Sequence, residues 1–167
     1  EVRMIMDLFR KYLINSVDKC MRNNVRCRII GDRTRLRPDI QDAIRHMEEA
    51  TAGNTGITFL IAINYGGRDD ILRGVRRIVQ DCAEGSLDPK DLTEEHISQA
   101  LDTGEYPDPD LLIRTSGEER LSNFLLWQLA YAEMYFTDVL WPDFNMEELL
   151  KAIRTYTARD RRYGNVK

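Results

Sequence analysis

Apolar residues recur at three- and four-residue steps near the start of the chain, which predicts a helix over residues 2–22 with one apolar face. The residues on this face are Met4, Ile5, Leu8, Phe9, Tyr12, Leu13 and Val17. The β-branched run 25–30 predicts a short strand, and Pro38 opens a second predicted helix. The inward residues of that helix are Ile40, Ala43, Ile44 and Met47.

Further along the chain, apolar runs continue to alternate with helical patterns. The run 57–63 predicts a central parallel strand that is covered on both faces. Short strands are predicted at 111–113 and 132–136, and helices at about 94–101 and from Asn145 to about Arg161. A helix after Arg68 carries the apolar residues Ile71, Val75, Ile78 and Val79. This order predicts an α/β fold with a mostly parallel central sheet flanked by helices, in one domain over residues 1–167.

Composition narrows the classes of function. A net charge of −4 disfavours a general nucleic-acid binder. The cysteines Cys20, Cys27 and Cys82 form no C-x-x-C pair, which argues against a disulfide framework and against a zinc site. The two histidines stand apart, so a His-based catalytic set is disfavoured, and no apolar run approaches the length of a membrane span.

Polar loops follow two of the predicted strands, at the sheet edge where ligands of parallel sheets bind. In the loop Asn64 to Arg68, paired glycines allow either close approach of a ligand or a tight turn. The loop Arg114 to Ser122 holds two guanidinium groups and a hydroxyl, which together suit a diphosphate. Glu118 and Glu119 fit such a site if they hold the arginines in place, but ordinary surface pairing of Arg with Glu explains the pattern equally well.

Glu133 lies inside the apolar stretch 125–136, where a carboxylate must be paired or bind a metal. One carboxylate with phosphate oxygens and waters is a usual arrangement for Mg²⁺. An ion pair between Glu133 and an arginine is the alternative, with equal weight.

Several segments carry a resemblance to a known family. They are Asp-Leu-Leu-Ile-Arg-Thr-Ser-Gly-Glu at 110–118, Arg-Leu-Ser-Asn-Phe-Leu-Leu-Trp-Gln at 120–128, Ala-Tyr-Ala-Glu at 130–133, Trp-Pro-Asp-Phe at 141–144, Asn-Tyr-Gly-Gly-Arg at 64–68 and Arg-Tyr-Gly at 162–164. These segments closely resemble the cis-prenyltransferase family, which includes the undecaprenyl diphosphate synthases. The resemblance covers essentially the whole chain.

The resemblance implies an enzyme that condenses isopentenyl diphosphate onto an allylic diphosphate such as farnesyl diphosphate, with new double bonds in cis. The product would be a long polyprenyl diphosphate, the precursor of a lipid carrier in cell-wall synthesis. By position, the residues that would hold isopentenyl diphosphate are Arg114, Arg120, Leu121 and Ser122. Glu133 would hold Mg²⁺, and Val25 and Ile57 would line an apolar tunnel for the growing chain.

The cysteine pattern favours a reducing cytosol, which predicts a cytoplasmic protein. The family also implies a homodimer, with peripheral membrane contact through its lipid product. Arg162 and Gly164 would reach toward the partner subunit's site as an Arg-x-Gly motif. The residues in supporting roles would be Asn64, Arg68, Glu118, Glu119, Arg162 and Gly164.

Two departures from the family limit this inference. Glu119 stands where many relatives have a metal-associated His. The sequence also lacks the Asp-Gly-Asn-Gly-Arg-Trp motif that carries the family's catalytic Asp and the allylic diphosphate loop. We therefore assign no catalytic residue and expect an N-terminally truncated chain that is inactive alone. A non-catalytic subunit and an anion-binding α/β module are the alternatives.

Overall fold

A computed structural model describes residues 2–159 of the chain. The helices are α1 (Val2–Arg22), α2 (Pro38–Ala50), α3 (Gly67–Ala83), α4 (Glu94–Ala100) and α5 (Met146–Thr157). The strands are β1 (Arg26–Ile30), β2 (Thr58–Ala62), β3 (Leu111–Arg114) and β4 (Glu133–Phe136). β1 pairs in parallel with β2, and β3 pairs in parallel with β4, so the predicted parallel α/β class is confirmed. The chain divides after Tyr65 into two compact units, and the single domain over 1–167 stays a prediction.

The first unit packs α1 and α2 onto the β1–β2 pair. Its core consists of Leu13, Cys27, Ile29, Ile40, Ala43, Ile44 and Met47. All four residues predicted to face inward on α2 are buried, as their three- and four-residue spacing requires. Pro38 begins α2 as predicted, because its fixed φ suits the first helical turn.

The apolar face predicted for α1 is only partly buried. Leu13 is fully buried, and Phe9 and Val17 pack beside it against the core. The remaining members of the predicted face are exposed: Met4, Ile5, Leu8 and Tyr12. The seven positions therefore form one wide arc of the helix surface, and only one side of this arc packs on the core of the first unit.

The double-sided cover predicted for the second strand is wrong. β2 pairs only with β1 among the described strands. Phe59 is 49% exposed, and Ile57, just before the strand, is 73% exposed. Because residues two apart in a strand point to the same face, these side chains mark one face that the described residues leave uncovered.

In the second unit, the helix predicted after Arg68 is α3. Its buried residues are Gly67, Asp70, Gly74 and Ile78, whereas Val75 and Val79 are exposed. A Cβ on Gly74 would lie 3.2 Å from the carbonyl oxygen of Ala100, so the glycine lets the end of α4 pack closely against α3.

The buried Asp70 explains how α3 tolerates a carboxylate on its inner face. Its Oδ1 accepts from the backbone N–H of Asp102 at 2.9 Å, and its Oδ2 accepts from Gln128 Nε2 at 3.2 Å. Arg73 donates to Asp102 at 2.5 and 2.8 Å, and these bonds raise the pKa of the Arg73 guanidinium above its ordinary value. The charges on this face thus compensate one another away from water.

The start of α5 agrees with the sequence prediction. Asn145 caps α5 by accepting from the N–H groups of Glu147 and Glu148. None of the described helices is both long enough and apolar enough to cross a membrane.

Arg73→Ala removes a cation that pairs with both Asp70 and Asp102, and leaves Asp102 paired with Arg77. We expect the free energy of unfolding to fall by about 3 kcal/mol, because a largely buried ion pair loses one partner. Arg45→Ala, which breaks an exposed pair with Asp42, is the matched control and should change stability by no more than about 0.5 kcal/mol. Urea denaturation of both variants measures the difference, and equal losses would contradict the role of Arg73.

Candidate diphosphate site

The loop that follows β3 has an unusual backbone. Its residues with positive φ are Ser116, Gly117, Ser122, Asn123 and Leu125. Positive φ is uncommon outside glycine and costs free energy, so surrounding contacts must hold the loop in this conformation. Part of that support extends the strand pair, because Ser116 N–H donates to Val139 O at 2.9 Å and Gly117 N–H donates to Thr137 O at 3.0 Å.

The two ends of this loop meet. Arg114 is the last residue of β3, and its Nη2 lies 3.5 Å from the hydroxyl oxygen of Ser122, at the long limit for a hydrogen bond. The structure therefore brings together two of the residues that the sequence assigned to the diphosphate. The Ser122 side chain is exposed and remains accessible to a ligand.

Arg120 lies at the surface of the same loop and forms an ion pair with Glu118. Their side chains are 64% and 37% exposed, so solvent screens this pair. Glu119 is exposed, and Leu121 is half-buried. Glu118 thus acts as an internal counter-ion for one of the two arginines.

Asn123 clamps the loop to the start of α3. Its carbonyl oxygen accepts from Gly67 N–H at 2.6 Å, and its side-chain Oδ1 accepts from Arg68 N–H at 2.9 Å. A Cβ on Gly67 would lie 2.8 Å from Leu126 Cγ and 3.0 Å from Leu126 N, so only glycine permits this approach. The glycine pair therefore admits another segment of the protein, whereas the two interpretations of the Asn64–Arg68 loop, a close ligand or a tight turn, stay predictions.

Sequence reasoning missed Asn123. The residue type did indicate such a role, because asparagine tolerates left-handed backbone and its side chain carries both a hydrogen-bond acceptor and a donor. The neighbouring Arg68 side chain is exposed. Asn64, in the first unit, has a φ of +48°, and its side-chain Nδ2 donates to Asp32 O at 2.9 Å.

Glu133 is not brought next to Arg114. In the parallel register, Glu133 stands opposite Leu111 and Arg114 stands opposite Phe136. Three residues of strand separate the two positions, which is roughly 10 Å along the ladder. Glu133 Oε2 accepts from Arg159 Nη1 at 2.6 Å, so the predicted ion pair with an arginine is present.

Residues 2–159 contain no cluster of three or more His, Cys, Asp or Glu side chains that could hold a metal ion. A metal at Glu133 would therefore depend on oxygens that the ligand and water supply. Arg162 and Gly164, assigned to a partner's site, lie outside the described residues.

An apolar groove lies in the first unit, with a cavity volume of about 260 Å³. Val25, one of the two predicted tunnel residues, lines it, whereas the exposed Ile57 does not. The other lining residues are Tyr12, Ser16, Lys19, Cys20, Asn23, Cys27, Met47, Phe59 and Ile61.

Comparisons with known proteins extend this picture. Residues 1–164 match the family model described as "Putative undecaprenyl diphosphate synthase". The isoprenyl transferase of Agrobacterium fabrum strain C58 is 51% identical over 164 residues, which are 98% of this chain and 66% of that protein. The (2E,6E)-farnesyl-diphosphate-specific ditrans,polycis-undecaprenyl-diphosphate synthase of Escherichia coli strain K12 is 49% identical over 98% of this chain and 65% of its own length.

The crystal structure of lavandulyl diphosphate synthase from Lavandula x intermedia, in complex with dimethylallyl diphosphate, superposes with a TM-score of 0.94. The sequence identity is 40%, and the match covers 99% of this chain and 72% of that one. The chain thus spans about two thirds of the length of the curated relatives that it matches. From its fold and these matches, the chain belongs to the cis-prenyltransferase family of the undecaprenyl diphosphate synthases.

Proposed function

We propose that this chain supplies the isopentenyl diphosphate site of an enzyme that transfers prenyl groups with cis geometry. The observation that carries the proposal is the meeting of Arg114 and Ser122 across a loop of left-handed backbone. In such a loop, hydrogen-bond donors lie close together and can bind a single anionic group. Membership of the cis-prenyltransferase family indicates that this anion is the diphosphate of isopentenyl diphosphate.

In the proposed complex, the Arg114 guanidinium and the Ser122 hydroxyl donate to diphosphate oxygens. Arg120 exchanges its partner Glu118 for the diphosphate, which carries more negative charge than one carboxylate. Leu121 is half-buried between Arg120 and Ser122 and keeps the two donors at a fixed spacing. These residues hold the isopentenyl group in place, which lowers the entropic part of the barrier.

The reaction that this site would serve joins two prenyl units. The allylic C–O bond breaks and its diphosphate leaves, the isopentenyl double bond attacks the allylic carbon, and a proton is lost from the new unit. The resulting long polyprenyl diphosphate would serve as a lipid-carrier precursor. The Escherichia coli relative's name specifies farnesyl diphosphate, and the Lavandula structure holds dimethylallyl diphosphate, which supports an allylic diphosphate as co-substrate.

Mg²⁺ is the metal that we propose for this chemistry, with Glu133 as its protein ligand. One carboxylate with diphosphate oxygens and water fits the ion in kind. Glu133 would release Arg159 in order to bind the ion. Glu133 does not stand opposite Arg114 in the strand register, so the metal ligand is tested separately from the diphosphate donors. When bound, the ion neutralises charge on the diphosphate.

The apolar groove of the first unit is the part of the chain that we propose for hydrocarbon. Val25, Phe59 and Ile61 provide apolar surface there, and each buried methylene contributes about 0.8 kcal/mol. We further propose a homodimer in the cytoplasm that contacts membranes only through its product.

Arg120→Ala removes one of the proposed diphosphate donors. We expect affinity for isopentenyl diphosphate to fall roughly 10- to 100-fold, since a hydrogen bond to a charged group contributes about 1.5–3 kcal/mol. Titration calorimetry measures the change, with Arg76→Ala on the exposed face of α3 as the matched control. Unchanged affinity in Arg120→Ala would remove Arg120 from the site. Equal affinity of the native chain for inorganic diphosphate would favour the generic anion-binding module.

Gly67→Ala tests the clamp between α3 and the diphosphate loop. The added Cβ meets the backbone of Leu126, so we expect a stability loss of about 1–3 kcal/mol. We also expect weaker binding of isopentenyl diphosphate at a temperature where the variant is fully folded. Gly53→Ala is the control, because its Cβ would meet no atom within 4 Å. A Gly67→Ala protein with native affinity would separate the clamp from the site.

Glu133→Gln tests the metal assignment. We expect the variant to bind isopentenyl diphosphate normally without Mg²⁺ but to lose the increase in affinity that Mg²⁺ gives the native chain. Glu147→Gln, which changes an exposed carboxylate at the start of α5, should keep that increase. A Mg²⁺ effect that persists in Glu133→Gln would exclude Glu133 as the ligand while leaving the diphosphate loop untested by this result.

A further inference from the structure

Two of the three cysteines lie side by side. The sulfur atoms of Cys20 and Cys27 are 3.4 Å apart, although seven residues separate them in the sequence. Both are free thiols, and both line the apolar groove of the first unit. Their spacing in the sequence gave no sign of this contact, because it arises where the last turn of α1 meets β1.

The backbone around both cysteines is firmly held. The carbonyl oxygen of Cys20 accepts from Val25 N–H at 2.9 Å and from Asn54 Nδ2 at 3.3 Å. The Cys27 N–H donates to the Thr51 hydroxyl at 3.0 Å. The fold thus keeps the two thiols together, so the encounter that a disulfide requires is already made.

The two thiols differ in their access to solvent. Cys27 is 1% exposed, and burial, aided by its hydrogen bond with Cys20, raises the pKa of its thiol to about 12. Cys20 is half-buried on the groove wall. Because Cys20 is the more accessible of the two thiols, Cys20 is the first nucleophile and Cys27 is the resolving thiol.

We propose that Cys20 and Cys27 form a redox-active dithiol, a modification site at which a small-molecule disulfide converts the two thiols to one intramolecular disulfide. Bond formation needs the sulfurs to move closer by roughly 1.4 Å, from their present contact to the bonded distance of about 2.0 Å.

The exchange proceeds in two steps. The Cys20 thiolate attacks one sulfur of the oxidant, its S–S bond breaks, and one small thiolate leaves as a mixed disulfide forms on Cys20. The Cys27 thiol then attacks the Cys20 sulfur, the S–S bond of the mixed disulfide breaks, and the second small thiolate leaves and takes up the proton that Cys27 loses. Two electrons pass from the protein dithiol to the oxidant, and the new bond ties α1 to β1 in the groove wall.

The test uses the full chain carrying Cys82→Ala, so that the pair supplies all of its thiols. The native-state protein is treated with 2-hydroxyethyl disulfide, quenched with acid, and examined by intact mass and peptide mapping. We expect loss of two hydrogen masses, a cross-linked Cys20–Cys27 peptide, and recovery of both thiols with dithiothreitol. Unreacted thiols after prolonged treatment would show an inert core contact and would overturn the proposal, as would a lasting adduct on Cys20.

Single variants identify the role of each thiol. Cys27→Ala should keep a stable mercaptoethanol adduct on Cys20, since no resolving thiol is present. Cys20→Ala should leave Cys27 reduced, because its thiol is buried and weakly acidic. Rapid modification of Cys27 in a folded Cys20→Ala protein would contradict the proposed order of attack. The peptide map of the intact pair decides the proposal even if a variant fails to fold.

Discussion

The close approach of Gly67 to Asn123 is the contact on which the diphosphate loop depends. The 2.6 Å bond between their backbones fixes the loop at its most constrained point, where Ser122 and Asn123 both have positive φ. Each such residue costs on the order of 1–3 kcal/mol. Without the clamp, the loop would relax toward ordinary backbone geometry, and the Ser122 hydroxyl would no longer face Arg114.

Much of the fold is readable from short-range patterns. The start of α2 at Pro38, its four buried positions and the Asn145 cap of α5 all follow from residues within a few positions of one another. Hydrophobic periodicity was less reliable for α3. Its inner face carries Asp70, whose partner Gln128 lies 58 residues further along the chain. A pattern of polarity cannot reveal a charge that distant residues compensate.

The residues of the candidate site also differ in how far the sequence predicts their positions. Arg114 and Ser122 could be predicted to lie together, because a strand end and a glycine-containing loop restrict where they can be. The position of Glu133 depends on which residue of β4 stands opposite Leu111, and this register is set by how both strands pack rather than by β4 alone. Asn123 depends on contact with a helix more than fifty residues away, so its importance appears only in three dimensions.

The pairing of Arg120 with Glu118 has a consequence for how fast a ligand arrives. Between residues 114 and 122, two arginines are balanced by two glutamates, so the loop carries no net charge. A diphosphate approaching from solvent therefore experiences little long-range attraction from this loop, and steering by its field is weak. The loop then discriminates among ligands only after contact, when Arg120 exchanges Glu118 for the diphosphate at short range. Ionic strength should then affect the dissociation rate more than the association rate, in contrast to sites that attract phosphates with an uncompensated basic patch.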